Sequence, residues 1–222
     1  MSSIGGSVEN VAPSGKQSTA RDAHRSRHLH RLIDVVLAMV WFGYAWATLS
    51  LWQETGAPVP LILLVRNSTL MLLFLARRPP KEASTSVKEW SVVLVSTLSG
   101  FLFVGGTIVA EGLALPLMVV SAILMTVSIL ALGRSFGIVP ANRGIKSGGP
   151  YRIVRHPIYS CYVLFDIGYL MGAPTIHNGV IFIAVVVSLY MRARYEEKFL
   201  RADPAYLAYA RQTRSMFLPG LL

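Results

Sequence analysis

LIDVVLAMVWFGYAWATLSLW, Leu32 to Trp52, carries one charged side chain, Asp34, in 21 residues. As a helix rising about 1.5 Å per residue, it is long enough to cross roughly 30 Å of hydrocarbon. Upstream the material changes. Met1 to Ala20 is rich in Ser and Gly and reads as a disordered tail. Arg21 to Arg31 then gathers Arg21, Arg25, Arg27 and Arg31 with His24, His28 and His30. A secretory signal would place its apolar stretch earlier and end it at a small-residue cleavage site. The run is therefore expected to be an uncleaved first span behind a basic anchor, with residues 1–31 as a tail.

Downstream, five more apolar segments predict five more spans: Leu61–Ala76, Ser91–Ala110, Leu115–Leu132, Ile158–Met171 and Asn178–Met191. The last two hold about fourteen residues each, marginal for a crossing. A tight turn at Gly172, Ala173 and Pro174 joins them, which predicts a short hairpin that either crosses only in part or is extended by flanking residues. Composition agrees with a membrane protein. Hydrophobic residues make up 53% of the 222-residue chain and charged residues 14%, against roughly 25% charged in a soluble domain. That leaves too little charge to dress a water-facing surface.

Charge placement predicts the topology. The 21 Lys and Arg outnumber the 11 Asp and Glu, for a net charge of +10. In a soluble protein that would suggest nucleic acid. Here the basic residues lie between apolar runs, so the anionic inner face of a membrane accounts for them and no nucleic-acid partner is expected. The N-terminal tail carries five, the loop after span two four, the loop after span four five and the C-terminal tail six. The alternate loops carry none. The positive-inside rule makes the basic side cytoplasmic, with an even number of spans and both termini inside. The expected fold is an all-α integral membrane protein of about six transmembrane helices. It divides into residues 32–132, a four-helix membrane region, and residues 133–222, a catalytic part with a cytoplasmic cofactor loop and a C-terminal amphipathic helix.

One basic residue departs from that pattern. Arg66 lies within span two, where a charge is costly and is usually partnered inside the bundle; Asp34 and Asp166 are its candidate partners. A lone cysteine, Cys161, excludes an internal disulfide framework. No metal-ligand spacing and no GxGxxG or GxxxxGKS loop is present, so neither a metal centre nor a soluble-type nucleotide site is expected.

Chemistry concentrates in two stretches. GRSFGIVPANRGIKSGGPYRIVRHPIYSCY runs from Gly133 to Tyr162, and RARYEEKFLRADPAYLAYARQTRSMFLPG from Arg192 to Gly220. In the first, Pro157 suits the first position of a helix, and the free amides of that turn can face an anion. His156 is set at the same point, and Arg143, Lys146, Arg152 and Arg155 add positive charge. The second brings Arg192, Arg194, Glu196 and Glu197 back to the same face. Anion-binding groups beside a carboxylate pair suit a zwitterionic ligand. A basic loop that serves topology alone, and a plain solvated helix exit, are the structural alternatives.

GGPYRIVRHPIY, followed about forty residues later by Glu196-Glu197 and a Tyr-rich tail, resembles the isoprenylcysteine carboxyl methyltransferase family and the related membrane phospholipid N-methyltransferases. The resemblance is strong over Leu132 to Leu222 and only general before that. It implies S-adenosylmethionine as methyl donor. On the matching positions, the cofactor would be held by Arg143, Gly144, Ile145, Lys146, Tyr151, His156, Pro157, Ile158, Tyr159 and Glu196. Arg192 stands where the acceptor's carboxylate would be held, and Arg194 could share in orienting it. Glu197 could assist an amine acceptor to lose its proton. Cys161 departs from the glycine that members often carry there. The implied partners are a lipophilic or lipid-linked acceptor and the membrane lipids. Carboxyl O-methylation is the reaction the family implies. N-methylation of a phospholipid or other small amphiphile is the first alternative, and a sterol-type reductase using NADPH and a non-catalytic transporter or assembly protein are the other readings.

Overall fold

The computed structural model describes residues 15–77, 82–83, 86–99, 102–103, 112–137, 141–142 and 144–220, with side chains in the first helix from residue 31 onward. Seven α-helices account for most of them: α1 (Gly15–Thr55), α2 (Pro58–Ala76), α3 (Val87–Leu98), α4 (Ala114–Leu132), α5 (Pro157–Gly172), α6 (Ile176–Leu200) and α7 (Pro204–Gln212). Two-residue strands β1 (Glu82–Ala83) and β2 (Ala141–Asn142) pair antiparallel and tie the loop after α2 to the loop after α4. Among the described residues, four helical segments are long and apolar enough to cross a membrane: Arg31–Thr55, Pro58–Ala76, Ala114–Ser135 and Ile176–Leu200.

The helices depart from expectation in three places. α1 begins at Gly15, inside the segment expected to be a tail. Residues 16–31 hold no proline or glycine, so a helix nucleated by the apolar run continues through them at little cost. The final pair is not a hairpin of two equally short helices. α5 has 16 residues, while α6 has 25 and reaches about 37 Å. The charged run after Met191 contains good helix formers and no breaker before Asp203-Pro204, so the helix extends well past the apolar stretch. The tail then forms only a nine-residue α7. α3 is described over Val87–Leu98; most of the second half of the expected third span lies outside the described residues.

Side-chain ties give the direction of each helix. Arg134 Nε donates to the Ala76 carbonyl at 2.9 Å, so α2 and α4 end together. Arg77 pairs with Asp34, which sets α1 antiparallel to α2. α3 runs antiparallel to α6, since Ser96 meets Arg192 near one end and Leu102 meets His177 near the other. The basic loops therefore collect at one end of the bundle. Asp34 is thus the partner of Arg77 and not of Arg66. Arg66 donates to Asn67 Oδ1 from Nε and Nη2, at 3.2 and 2.9 Å, lies over the Trp41 and Tyr162 rings, and interacts electrostatically with the buried Asp166, the other candidate.

The core lies where α2, α4, α5 and α6 meet, around Leu70, Phe74, Met125, Ile129, Val185 and Leu189, all nearly inaccessible. α4 and α5 approach closely at Gly168. A Cβ there would stand 2.6 Å from Met118 Cγ and 3.1 Å from the Ala114 carbonyl. Small residues are the usual means of bringing membrane helices this close.

Candidate active site

At the end of the bundle that gathers the basic loops, two hollows meet. The first, about 670 Å³ with its mouth, reaches down among the helices and is lined by Trp41, Leu70, Thr97, Ile129, Ile158, Tyr159, Tyr162 and Arg192, among others. The second, about 620 Å³ with its mouth, lies between the loop and α7 and is lined by Ser135, Gly144, Ile145, Lys146, Leu200, Tyr206 and Tyr209. Leu132, Gly137, Tyr151, Arg155, His156 and Glu196 line both. The result is one bipartite cavity, with an apolar arm among helices, a polar arm outside them and a charged junction between.

The junction is built from three directions. A 3₁₀ turn, Gly149–Arg152, presents Tyr151, and Gly149 takes the positive φ of +59° that its entry requires. Tyr151's carbonyl accepts from the Tyr209 hydroxyl at 2.8 Å, which docks α7 on the loop. Burial, reinforced by the charge of Glu196, holds the Tyr151 hydroxyl well above the ordinary phenol range. It remains a neutral donor. Tyr206 and Tyr209 are raised in the same way, burial first; Glu197 adds to the shift in both and Arg155 opposes it.

Next come Arg155 and His156 at the mouth of α5. The segment 213–217 straps across them. Arg155 N donates to the Ser215 carbonyl and His156 N to the Met216 carbonyl, each at 3.0 Å. The Arg155 guanidinium donates to the Thr213 carbonyl at 3.0 Å and to that of Arg214, and Ser160 Oγ donates to the Phe217 carbonyl at 2.6 Å. Tyr159 N and Ser160 N already donate to the His156 carbonyl at 3.1 and 3.2 Å. The first turn of α5 thus has fewer amides to offer an anion than its proline-led start implies, and this part of the cavity is walled by side chains. His156 stacks on Tyr159, ring centroids 5.3 Å apart and planes 9° from parallel.

The third contribution is α6, where the two glutamates diverge. Glu196 lines the cavity and its Oε2 accepts from the Tyr159 hydroxyl at 2.9 Å. Glu197, one residue on, is buried at 4% exposure and is not among the lining residues. Its Oε1 accepts from Arg155 Nε at 2.6 Å and lies 3.4 Å from His156 Nε2, and its Oε2 is 3.7 Å from Arg201. Its place is behind the junction, holding Arg155 and His156. Arg192, one turn before Glu196, lines the apolar arm with its guanidinium 5.2 Å from the Tyr159 ring centroid.

Of the residues singled out from sequence, Gly144, Ile145, Lys146, Tyr151, His156, Ile158, Tyr159, Arg192 and Glu196 are brought together around this cavity. Pro157 is buried at the start of α5 without lining it, and Arg194 is exposed on the opposite side of α6. Arg143 lies outside the described residues. The walls that sequence reasoning missed are Trp41, Leu70, Thr97, Ile129 and Phe136 in the apolar arm. Tyr206 and Tyr209 carried a signal, an i, i+3 aromatic pair on one helix face. Among the described residues, no group of three or more His, Cys, Asp or Glu is placed to hold a metal ion.

Comparison with known proteins bears on the same region. Residues 114–202, from α4 through α6, match the model of the isoprenylcysteine carboxyl methyltransferase (ICMT) family. The cobalt-zinc-cadmium resistance protein CzcN of Cupriavidus metallidurans is 29% identical over 136 residues, covering 58% of this chain and 61% of that protein. The chain thus spans about three-fifths of the length of this curated relative.

Proposed function

From the match of α4 through α6 to the ICMT family, we propose that this chain is a membrane-embedded S-adenosylmethionine-dependent methyltransferase. Its acceptor is an isoprenylcysteine-like or other lipophilic carboxylate. The observation that carries the reading is the bipartite cavity. A water-soluble donor and a greasy acceptor need separate approaches to one reacting point, and a polar arm and an apolar arm meet at Tyr151, Arg155, His156 and Glu196.

The residues of the polar arm suit this cofactor. S-adenosylmethionine presents a sulfonium and an ammonium, a carboxylate, sugar hydroxyls and a flat base. Glu196 offers an anion, Lys146 and Arg155 offer cations, and Tyr151, Tyr206 and Tyr209 offer aromatic faces with protonated hydroxyls. When bound, the cofactor supplies a methyl group on a positively charged sulfur, already activated for displacement. What remains for the protein is alignment and exclusion of water. Arg192 orients the acceptor carboxylate, for which a guanidinium fork is well shaped. Tyr159 restrains the Glu196 carboxylate through its 2.9 Å bond. The apolar walls Trp41, Leu70 and Ile129 keep water from the acceptor side. A carboxylate nucleophile needs no general base, in keeping with the placement of Glu197 behind the junction.

In the membrane, this reading takes six crossings with both termini and the cavity mouth on the cytoplasmic side. The donor enters from water, and the acceptor from among the helices. The test is binding of S-adenosylmethionine to the detergent-purified protein, with NADPH in parallel. Saturable donor binding that weakens at least tenfold in Glu196→Gln supports the proposal. NADPH binding alone would replace it with a reductase.

A further inference from the structure

Hydroxyls on the long helices of this bundle are nearly all turned back on their own backbone. Thr48, Thr69, Thr126, Ser128 and Ser188 each donate to a carbonyl three or four residues earlier, at 2.7 to 3.0 Å. In an apolar surround that is the cheapest way to satisfy the group. Thr97 on α3 behaves differently. Its Oγ1 is buried and has no hydrogen-bond partner among the described residues, yet Thr97 lines the apolar arm. Its neighbour Ser96 accepts from Arg192 Nη1 at 3.3 Å, and Thr97 and Arg192 are walls of the same arm. Trp41, Leu70, Ile129 and Tyr162 are among the other walls of this arm, and Arg155 and His156 stand at the junction with the polar arm.

We infer that the Thr97 hydroxyl is a specificity-determining ligand of the acceptor. It donates to the same anionic oxygen group that Arg192 orients and so selects a free carboxylate over its neutral ester. This rests on the methyltransferase reading and extends it to the residue that recognises substrate and rejects product. A site that hydrogen-bonds one form of a ligand discriminates strongly against a form that leaves its buried polar groups unpaired. Product release follows from the same chemistry, because methylation removes the charge that Thr97 and Arg192 hold.

The test uses the full chain in detergent, with N-acetyl-S-farnesylcysteine and its methyl ester as probes and binding as the readout. The wild type is expected to bind the acid at least tenfold tighter than the ester. Thr97→Val, close to isosteric, is expected to weaken the acid about tenfold, the size of one hydrogen bond to a charged group. It should leave the ester and S-adenosylmethionine unaffected, and Thr97→Ser should restore the acid. Equal affinity for acid and ester, an unchanged acid affinity in Thr97→Val, or no binding of either probe by protein that binds S-adenosylmethionine overturns the inference and leaves the methyltransferase reading standing. Loss of S-adenosylmethionine binding by the wild type would instead be the failure of that reading.

Discussion

Replacing Glu197 by Gln isolates the ion cluster behind the cavity. The carboxylate and the Arg155 guanidinium are 6% and 13% exposed, with 2.6 Å between them. Removing one partner of a buried pair costs about 3–5 kcal/mol, because the other charge is left buried. Arg155 keeps its bonds to the Thr213 and Arg214 carbonyls, which places the expected cost at the lower end, about 3 kcal/mol. At about 2–4 °C per kcal/mol for a chain of this size, Tm should fall by about 6–12 °C. Arg201→Ala is the control. Its side chain is 65% exposed and 3.7 Å from Glu197, and such surface pairs contribute about 0–1 kcal/mol. The combined Arg155→Met, Glu197→Leu variant should be more stable than Glu197→Gln alone, since no charge is then stranded. Thermal unfolding followed by tryptophan fluorescence in detergent reads all of these. A Glu197→Gln variant within 2 °C of wild type, or a pair whose effects simply add, would refute the argument.

Other outcomes follow from the same geometry. Gly168→Val forces α4 and α5 apart where a Cβ would already meet Met118 and the Ala114 carbonyl. It should cost about 1–3 kcal/mol, seen as a lower Tm, with Gly168→Ala in between. Tyr206 and Tyr209 have hydroxyl pKa values raised in the folded state, so the unfolded chain loses these protons first, near pH 10. Their contribution to stability is complete below about pH 10 and is lost as pH climbs through and above it. Tm should therefore drop between pH 9 and 11, and by less in the Tyr206→Phe, Tyr209→Phe variant; an identical drop would remove these tyrosines from the account. Reporter fusions after Thr55, Gly112 and Thr175 should all report the non-cytoplasmic side, and a cytoplasmic signal at any of them breaks the six-crossing topology.

The helices were legible in the sequence wherever hydropathy alone forms them. α2 and α4 lie within a few residues of their apolar runs, because burial in lipid and burial in protein select the same residues. α6 was under-read because its charged run looked like an exit from the membrane, whereas helix propensity carries the helix through it. The divergence of Glu196 and Glu197 was not legible. Neighbours on a helix point about 100° apart, and which one meets the cavity depends on how α6 is rotated against α5. Thr97 and Gly168 were hidden for a related reason. Each matters through a helix far away in sequence, α6 for Thr97 and α4 for Gly168, and no local pattern records such a pairing. The Gly-Pro-Tyr and His-Pro motifs, by contrast, build their turns from adjacent residues and could be placed at once.

The strap formed by residues 213–217 imposes an order on how the protein is made. Synthesis proceeds from the N-terminus, and earlier parts fold first. Every helix from α1 to α6 has left the ribosome before Ser215 and Met216 can offer their carbonyls to Arg155 and His156. The bundle is thus threaded into its membrane before the mouth of α5 is strapped down. The strap docks only after the helices it crosses, and a bulky fusion placed directly after Phe217 would compete with that docking.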